Sequence, residues 1–390
     1  MSAGQITCLA CGTDAARSIL EIDRAPVLCN QLCSTEAEAH AAQVAPIQLA
    51  NCTACGHTFN ATFDPGRIQY GPDYENSLHF SPRFLEYSSA LVAGLTARHD
   101  LGGRPVVEVG CGDGSFLREL CAASEARGHG FDPSYDGPGE VDGRVSLSPS
   151  SFFESETVPD TALVCNRHVL EHVQAPGSFV SAIADKLGPG SGSSLYLEVP
   201  NGLYTLRDLG IWDVIYEHPS YFCSESLRRV VQGAGFGEVE VHESFGGQFL
   251  GLHARLNAAN AANGPRGATT AEVAELADRF ADAYREKVEH WKQVIQMASA
   301  GGRHVALWSA GSKGNSFLNV LNPGPAVQCV VDVNPKKQGH FMAGTGHPIV
   351  APQALTNSSV DLVILMNPIY AVEVREMLDA VRPEAELVVA

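Results

Sequence analysis

Basic residues are scarce in this chain. Lys and Arg number 26 against 44 Asp and Glu, a formal net charge of −18 over 390 residues. A nucleic-acid binder needs a basic face to neutralise phosphates, so nucleic acid is disfavoured as the main partner. An anionic small molecule needs only a local basic pocket and stays open. No apolar run is long enough to span a membrane. The opening "MSAGQITCLACG" lacks the basic and apolar regions of a secretory signal. A disulfide framework is missing too. Eleven cysteines spread over so long a chain point to a reducing compartment, and so to a cytoplasmic protein, with some thiolates on a metal. Hydrophobic residues make up 45% and charged residues 18%, enough to build large cores in two or three domains.

The chain divides into three parts and a link. Residues 1–80 are cysteine-rich, with short extended runs and many turns. Residues 81–267 alternate apolar runs with helical stretches. "RPVVEVGCGDGSFLREL" reads strand, Gly turn, helix, and strands follow in "GHGFDPS", "TALVCNRHVLEHV" and "SSLYLEVPN". That grammar predicts a parallel, doubly wound sheet. Residues 268–299 have the periodicity of one long amphipathic helix. Residues 300–390 repeat the grammar in "RHVALWSAGSKGNSFLNVL", "VQCVVDVNP", "VDLVILMNP" and "ELVVA". In the two halves Gly110 precedes Asp132 by 22 residues and Gly311 precedes Asp332 by 21. The expected fold class is α/β: a Rossmann-like central domain, an N-terminal metal-binding module and a C-terminal Rossmann-like domain.

Cys8 and Cys11 form "CLAC", and Cys52 and Cys55 form "CTAC", each pair followed by glycine. Two such knuckles complete a four-thiolate, structural zinc site with no open position for catalysis. Unrelated pairs or redox dithiols are the alternatives. Cys29 and Cys33, in the insert between the knuckles, are expected to be free thiols.

"VVEVGCGDGSF" places Gly110, Gly112 and Gly114 after an apolar strand containing Glu108, with Asp113 in the turn. Glycines there let the backbone approach a ligand, and the helix start adds a positive dipole end. Asp132 ends the next strand and can hold a ribose diol. The GxGxG spacing departs from the GxGxxG of a nicotinamide site. It resembles the first motif of class I S-adenosylmethionine methyltransferases. Phe131 and Asp132 resemble the second motif. Asn166 and Arg167 follow on the strand near the methionine end.

"CNRHVLEHV" puts His168 and His172 on one helical face with Glu171 beside them, a weak HxxEH metal pattern that lacks a further carboxylate. His168 as a cap or packing residue is the plainer reading. "WDVIYEHPSYF" sets Tyr216, Glu217, His218 and Tyr221 among large apolar residues, where charge is costly. Because ligands sit outside the carboxyl ends of the strands, this stretch is expected to form a lid over the cleft. It would bring His218 as general base and Glu217 as its orienting partner. A Glu–His pair that merely braces the lid is the alternative.

With these residues in hand, the whole chain resembles the three-domain C-methyltransferases that act on nucleotide-linked keto-deoxysugars. The two CxxC pairs, "EVGCGDGSF", "SAGSKGNSFLN", "VVDVNPKKQGHFMAGTGHPIV" and "LVILMNPIY" carry the resemblance. It implies S-adenosylmethionine and structural zinc, a substrate held between the central and C-terminal domains, and catalysis by Glu217, His218 and His172. The Tyr–x–Glu–His stretch of that family is one residue shorter here, so Tyr216 adjoins Glu217. A family tyrosine ahead of the methyltransferase domain corresponds to Tyr70 or Tyr74, with His79 nearby. In that reading a base removes the proton α to a ketone, His172 or a tyrosine supports the enolate oxygen, and Lys313, Lys336 and Lys337 meet phosphates. Those lysines are otherwise solvated surface charge. O- or N-methylation of another natural-product intermediate, a non-catalytic zinc and Rossmann assembly module, and a dehydrogenase built on "SAGSKGN" are the competing functions.

Overall fold

The computed structural model describes residues 5–71, 73–140, 143–156, 158–188, 190–259 and 267–390. Three sheets organise them. The central sheet has seven strands, in the order Phe236–Ser244, Phe249–Leu256, Ser194–Pro200, Leu163–Arg167, Pro105–Val109, Arg127–Phe131 and Val145–Ser148. Its last five strands are parallel. The first two form an antiparallel hairpin added to the edge, which departs from the all-parallel expectation. The parallel strands are buried on both faces. Val106, Val107, Leu163, Val164, Leu195 and Leu197 are all fully enclosed, which is why they read as continuous apolar runs. Strand order reverses between Pro105–Val109 and Leu163–Arg167, so a crevice opens at their carboxyl ends.

The C-terminal sheet is wholly parallel, ordered Ile349–Val350, Val327–Val331, His304–Trp308, Val360–Leu365 and Glu386–Val389. The N-terminal sheet is antiparallel: Ala16–Pro26, Val44–Cys52 and Thr58–Asn60, with Ser220–Tyr221 as its fourth strand. That last strand corrects the lid expectation. The 212–222 stretch is woven into the N-terminal sheet, and Trp212, Val214 and Tyr216 sit in a core shared by that module and the C-terminal domain. Backbone pairing and apolar burial hold it in place, where a lid would need weak contacts.

The helix Thr270–Ala300 carries a capping box in which Thr269 and Glu272 satisfy each other's backbone N–H groups. Its buried stripe, Phe280, Tyr284, Trp291 and Ile295, enters the same shared core. An Arg17–Asp278 ion pair ties it to the N-terminal module. Between the central and C-terminal domains, Gln248 and Asn367 exchange two buried side-chain hydrogen bonds of 2.8 and 2.9 Å. No helix among the described residues is long and apolar enough to cross a membrane.

Candidate active site

The four cysteines of the two knuckles converge. Cys8 Sγ lies 3.6 Å from Cys55 Sγ and Cys11 Sγ 3.7 Å from Cys52 Sγ, and all four sulfurs fall within 4.8 Å of one another. Zinc–sulfur bonds of about 2.3 Å in a tetrahedron place sulfurs about 3.8 Å apart, so the set fits a zinc ion. Each knuckle closes in the same way: Gly12 N–H donates to Cys8 O, and Gly56 N–H to Cys52 O. Both glycines have left-handed φ, +69° and +75°, a conformation that favours glycine. Cys29 and Cys33 stand apart from this cluster as free thiols.

The glycine turn after Pro105–Val109 divides its labour. A Cβ on Gly110 would come within 2.3 Å of Val169, and one on Gly114 within 2.6 Å of Leu147. A Cβ on Gly112 would meet nothing within 4 Å. Two glycines therefore serve packing, and the third faces open space where a ligand can lie against the backbone. Acidic groups surround that space. Asp132 accepts from Gly112 N–H at 2.8 Å and from Ser134 N–H and Oγ. Burial pushes the Glu108 carboxyl up to about 8, against the pull of Arg167, and one of its oxygens is buried without a partner. The Asn166 amide donates to Val109 O at 2.8 Å, and its own oxygen is also unpartnered. Orphaned acceptors beside an open glycine fit S-adenosylmethionine, which brings an ammonium and a sulfonium.

The segment after Leu163–Arg167 is not the expected α-helix. His168 adopts φ +53° and Leu170–His172 is a single 3-10 turn, so His168 and His172 do not share a face. His168 Nε2 lies 3.0 Å from Glu198 and Nδ1 3.6 Å from Glu171. Although burial opposes its charge, these two carboxylates raise it to about 9. Glu198 anchors a buried network with Arg167, Tyr87 and Tyr196. The sequence reading passed over Glu198 and Tyr87. A lone glutamate inside the apolar strand "SSLYLEVP" was the available signal, since an isolated buried carboxylate demands partners.

His172 faces the other way. Its Nδ1 is 2.9 Å from Glu217 O and 3.1 Å from Tyr70 Oη. A carbonyl only accepts, so Nδ1 carries the proton and Nε2 the lone pair. His172 and His218 meet edge to face with ring centroids 4.7 Å apart. Burial and the neighbouring His172 hold His218 well below the usual imidazole range. The Glu217 side chain does not orient His218. It accepts from the Cys29 backbone N–H and from Tyr74 Oη at 2.6 Å. Burial nevertheless raises its carboxyl above the usual range. The Cys29 contact was invisible in sequence, because it is a main-chain donor from another module.

Six other expected site residues have partners of their own. Tyr216 is fully buried, packs on Phe63 and accepts a hydrogen bond from Asp64 N–H, which commits it to the core. The Tyr221 hydroxyl is spent on the backbone of Ile215, donating to its oxygen and accepting from its N–H. Lys313 pairs with Asp213. Lys336 pairs with Glu75 at 3.0 Å from a largely exposed position, and buried Lys337 donates to Ala310 O and Asn30 Oδ1. Each of these three ammonium groups already has a protein partner, and only Lys336 is largely exposed. His79 lies beside Ser77 and packs edge-on to Phe84. It also helps to hold the Asp113 carboxyl low, so it borders the cofactor turn.

Residues 81–241 match the family model described as a methyltransferase domain, and residues 260–390 match that of a C-methyltransferase C-terminal domain. The protein is therefore an enzyme with a methyltransferase domain, and its C-terminal domain is of the C-methyltransferase kind. No curated protein matches the chain. Magnesium protoporphyrin IX methyltransferase from Synechocystis, solved with bound SAH, is 20% identical over 45% of this chain and 84% of that one, with a TM-score of 0.35. A SAM-dependent methyltransferase from Archaeoglobus fulgidus is 19% identical over 45% of this chain and 100% of that one, also at 0.35.

Proposed function

We propose that the enzyme transfers a methyl group to the carbon α to a carbonyl of a small molecule, a nucleotide-linked keto-deoxysugar or a related natural-product intermediate. One observation carries the reading: His172 pairs its imidazole with that of His218 and stands beside the Tyr70 hydroxyl, just after the strand that neighbours the one carrying the cofactor turn. Bound S-adenosylmethionine supplies an electrophilic methyl group. His218, neutral and without a ring hydrogen bond among the described residues, takes the α-proton. Tyr70 cannot donate to the already protonated Nδ1 of His172; its hydroxyl hydrogen-bonds the Glu217 carboxylate and would turn from it to the developing enolate oxygen. Its residue is 42% exposed, which leaves it within reach of a ligand. Glu217, Tyr74 and the Cys29 N–H fix the backbone on which His172 rests. The four-thiolate zinc would stabilise the N-terminal module that supplies Cys29.

Incubation of the enzyme with a keto-sugar nucleotide, deuterated solvent and a non-methylating cofactor analogue tests this. Wild type is expected to exchange the α-proton and His218→Ala not to. Full turnover by His218→Ala with the natural cofactor would overturn the role of His218. Methylation on oxygen or nitrogen of the acceptor would overturn carbon transfer.

A further inference from the structure

The pocket around His172 holds a carboxylate that methyl transfer does not use. Glu171 is 1% exposed, and its Oε2 has no hydrogen-bond partner among the described residues. Among the described residues its Oε1 reaches His168, at 3.6 Å, and that imidazole is committed more closely to Glu198. A buried carboxyl oxygen without a partner is costly. Two imidazoles stand next to it. Ligand atoms of Glu171, His172 and His218 all lie within 4.8 Å of one another.

The donors are prepared for a cation. His172 is held at Nδ1 by the Glu217 carbonyl, which leaves Nε2 as the nitrogen with a lone pair for a ligand. An N–H to carbonyl bond of that kind is the usual outer support of a metal-bound histidine. Metal bonds of about 2.0–2.2 Å bring neighbouring ligand atoms roughly 3 Å apart, so small side-chain rotations close the set. Three protein ligands then leave coordination positions open.

We propose that Glu171, His172 and His218 form a second metal site, a two-histidine, one-carboxylate set for a first-row divalent cation such as zinc, cobalt or ferrous iron. It is distinct from the four-thiolate site in donor type and position. His168 is not a ligand, although the HxxEH pattern had paired it with His172. Cation and α-proton compete for the His218 lone pair, so the two uses of that ring are alternatives. Binding itself does not depend on the acceptor's identity.

The test is a titration of the full-length protein, carrying its four-thiolate metal, with cobalt chloride. Binding is followed by equilibrium dialysis and visible absorption. One further cobalt per chain is expected, with d–d bands and no thiolate-to-metal charge-transfer band. Glu171→Gln and His218→Gln should each weaken it by about tenfold or more, and His168→Gln by much less. In the wild type, cobalt should also protect His172 and His218 from acylation by diethyl pyrocarbonate, read by peptide mass spectrometry, whatever the folding of the variants. No second cobalt, thiolate bands alone, unchanged affinity in Glu171→Gln, or unprotected histidines would each overturn the proposal.

Discussion

The Tyr74 hydroxyl donates to the Glu217 carboxylate at 2.6 Å, and the other oxygen of that carboxylate accepts from the Cys29 backbone N–H. Two donors from the N-terminal region thus hold a buried carboxylate of the central domain. Tyr74→Phe is expected to destabilise the protein by about 1.5–3 kcal/mol, the range for a hydrogen bond to a charged group. Urea denaturation measures it. Glu217→Gln should cost at least as much, because an amide has one accepting oxygen and its NH2 would face a second donor. A silent Tyr74→Phe would remove the tyrosine from the support of the site.

His218→Ala is expected to lower turnover by about 10²–10⁴, the usual range for a lost general base. Cofactor affinity, measured by calorimetry, should not change. Tyr70→Phe should reduce turnover too, through the enolate oxygen, while leaving the folded state intact because the ring stays. Turnover at the wild-type level in Tyr70→Phe would return that role to His172.

Asp132 sits beside the open glycine turn. Asp132→Ala should weaken S-adenosylmethionine by roughly 1–3 kcal/mol, the worth of a charge-assisted hydrogen bond. Unaltered binding in calorimetry would place the ribose elsewhere.

Metal analysis should find zinc bound by Cys8, Cys11, Cys52 and Cys55. Cys52→Ser should lose that metal and fold poorly, since a structural zinc contributes directly to folding. Wild type that is fully folded after chelation would contradict it.

Stability should fall in mild acid. His99, His242 and His253 pack together along one face of the central domain. Burial depresses all three, His253 to about 3. In the unfolded chain they bind protons near the ordinary value of about 6.5. The unfolded state therefore holds more protons below that point, so the stabilisation is complete above it and is lost as pH falls towards 3. Urea midpoints between about pH 7 and pH 5 should drop, and more gently in His253→Asn.

Sequence by itself determined the parts that depend on local chemistry. Apolar runs ending in glycine turns required buried parallel strands. "CLACG" and "CTACG" required knuckles, because thiolate spacing and a left-handed glycine are properties of a few consecutive residues. Glu108, Gly112 and Asp132 could be assigned to one cleft for the same reason, each lying at or next to a strand end. Tertiary structure decided everything that joins distant segments. The stretch from Trp212 to Phe222 has the composition of a lid, but pairing with Thr58–Asn60 makes it part of the N-terminal sheet. Glu217 and His218 are neighbours in sequence, yet a turn closed by the His218 N–H on Ile215 O sends their side chains to different partners. One meets Tyr74 and Cys29, the other His172. The partners of the three lysines, Asp213, Glu75 and the Ala310 carbonyl, come from distant segments that only folding brings against them. Periodicity and spacing report which face of an element is buried, whereas the partner across that face is chosen by packing between modules.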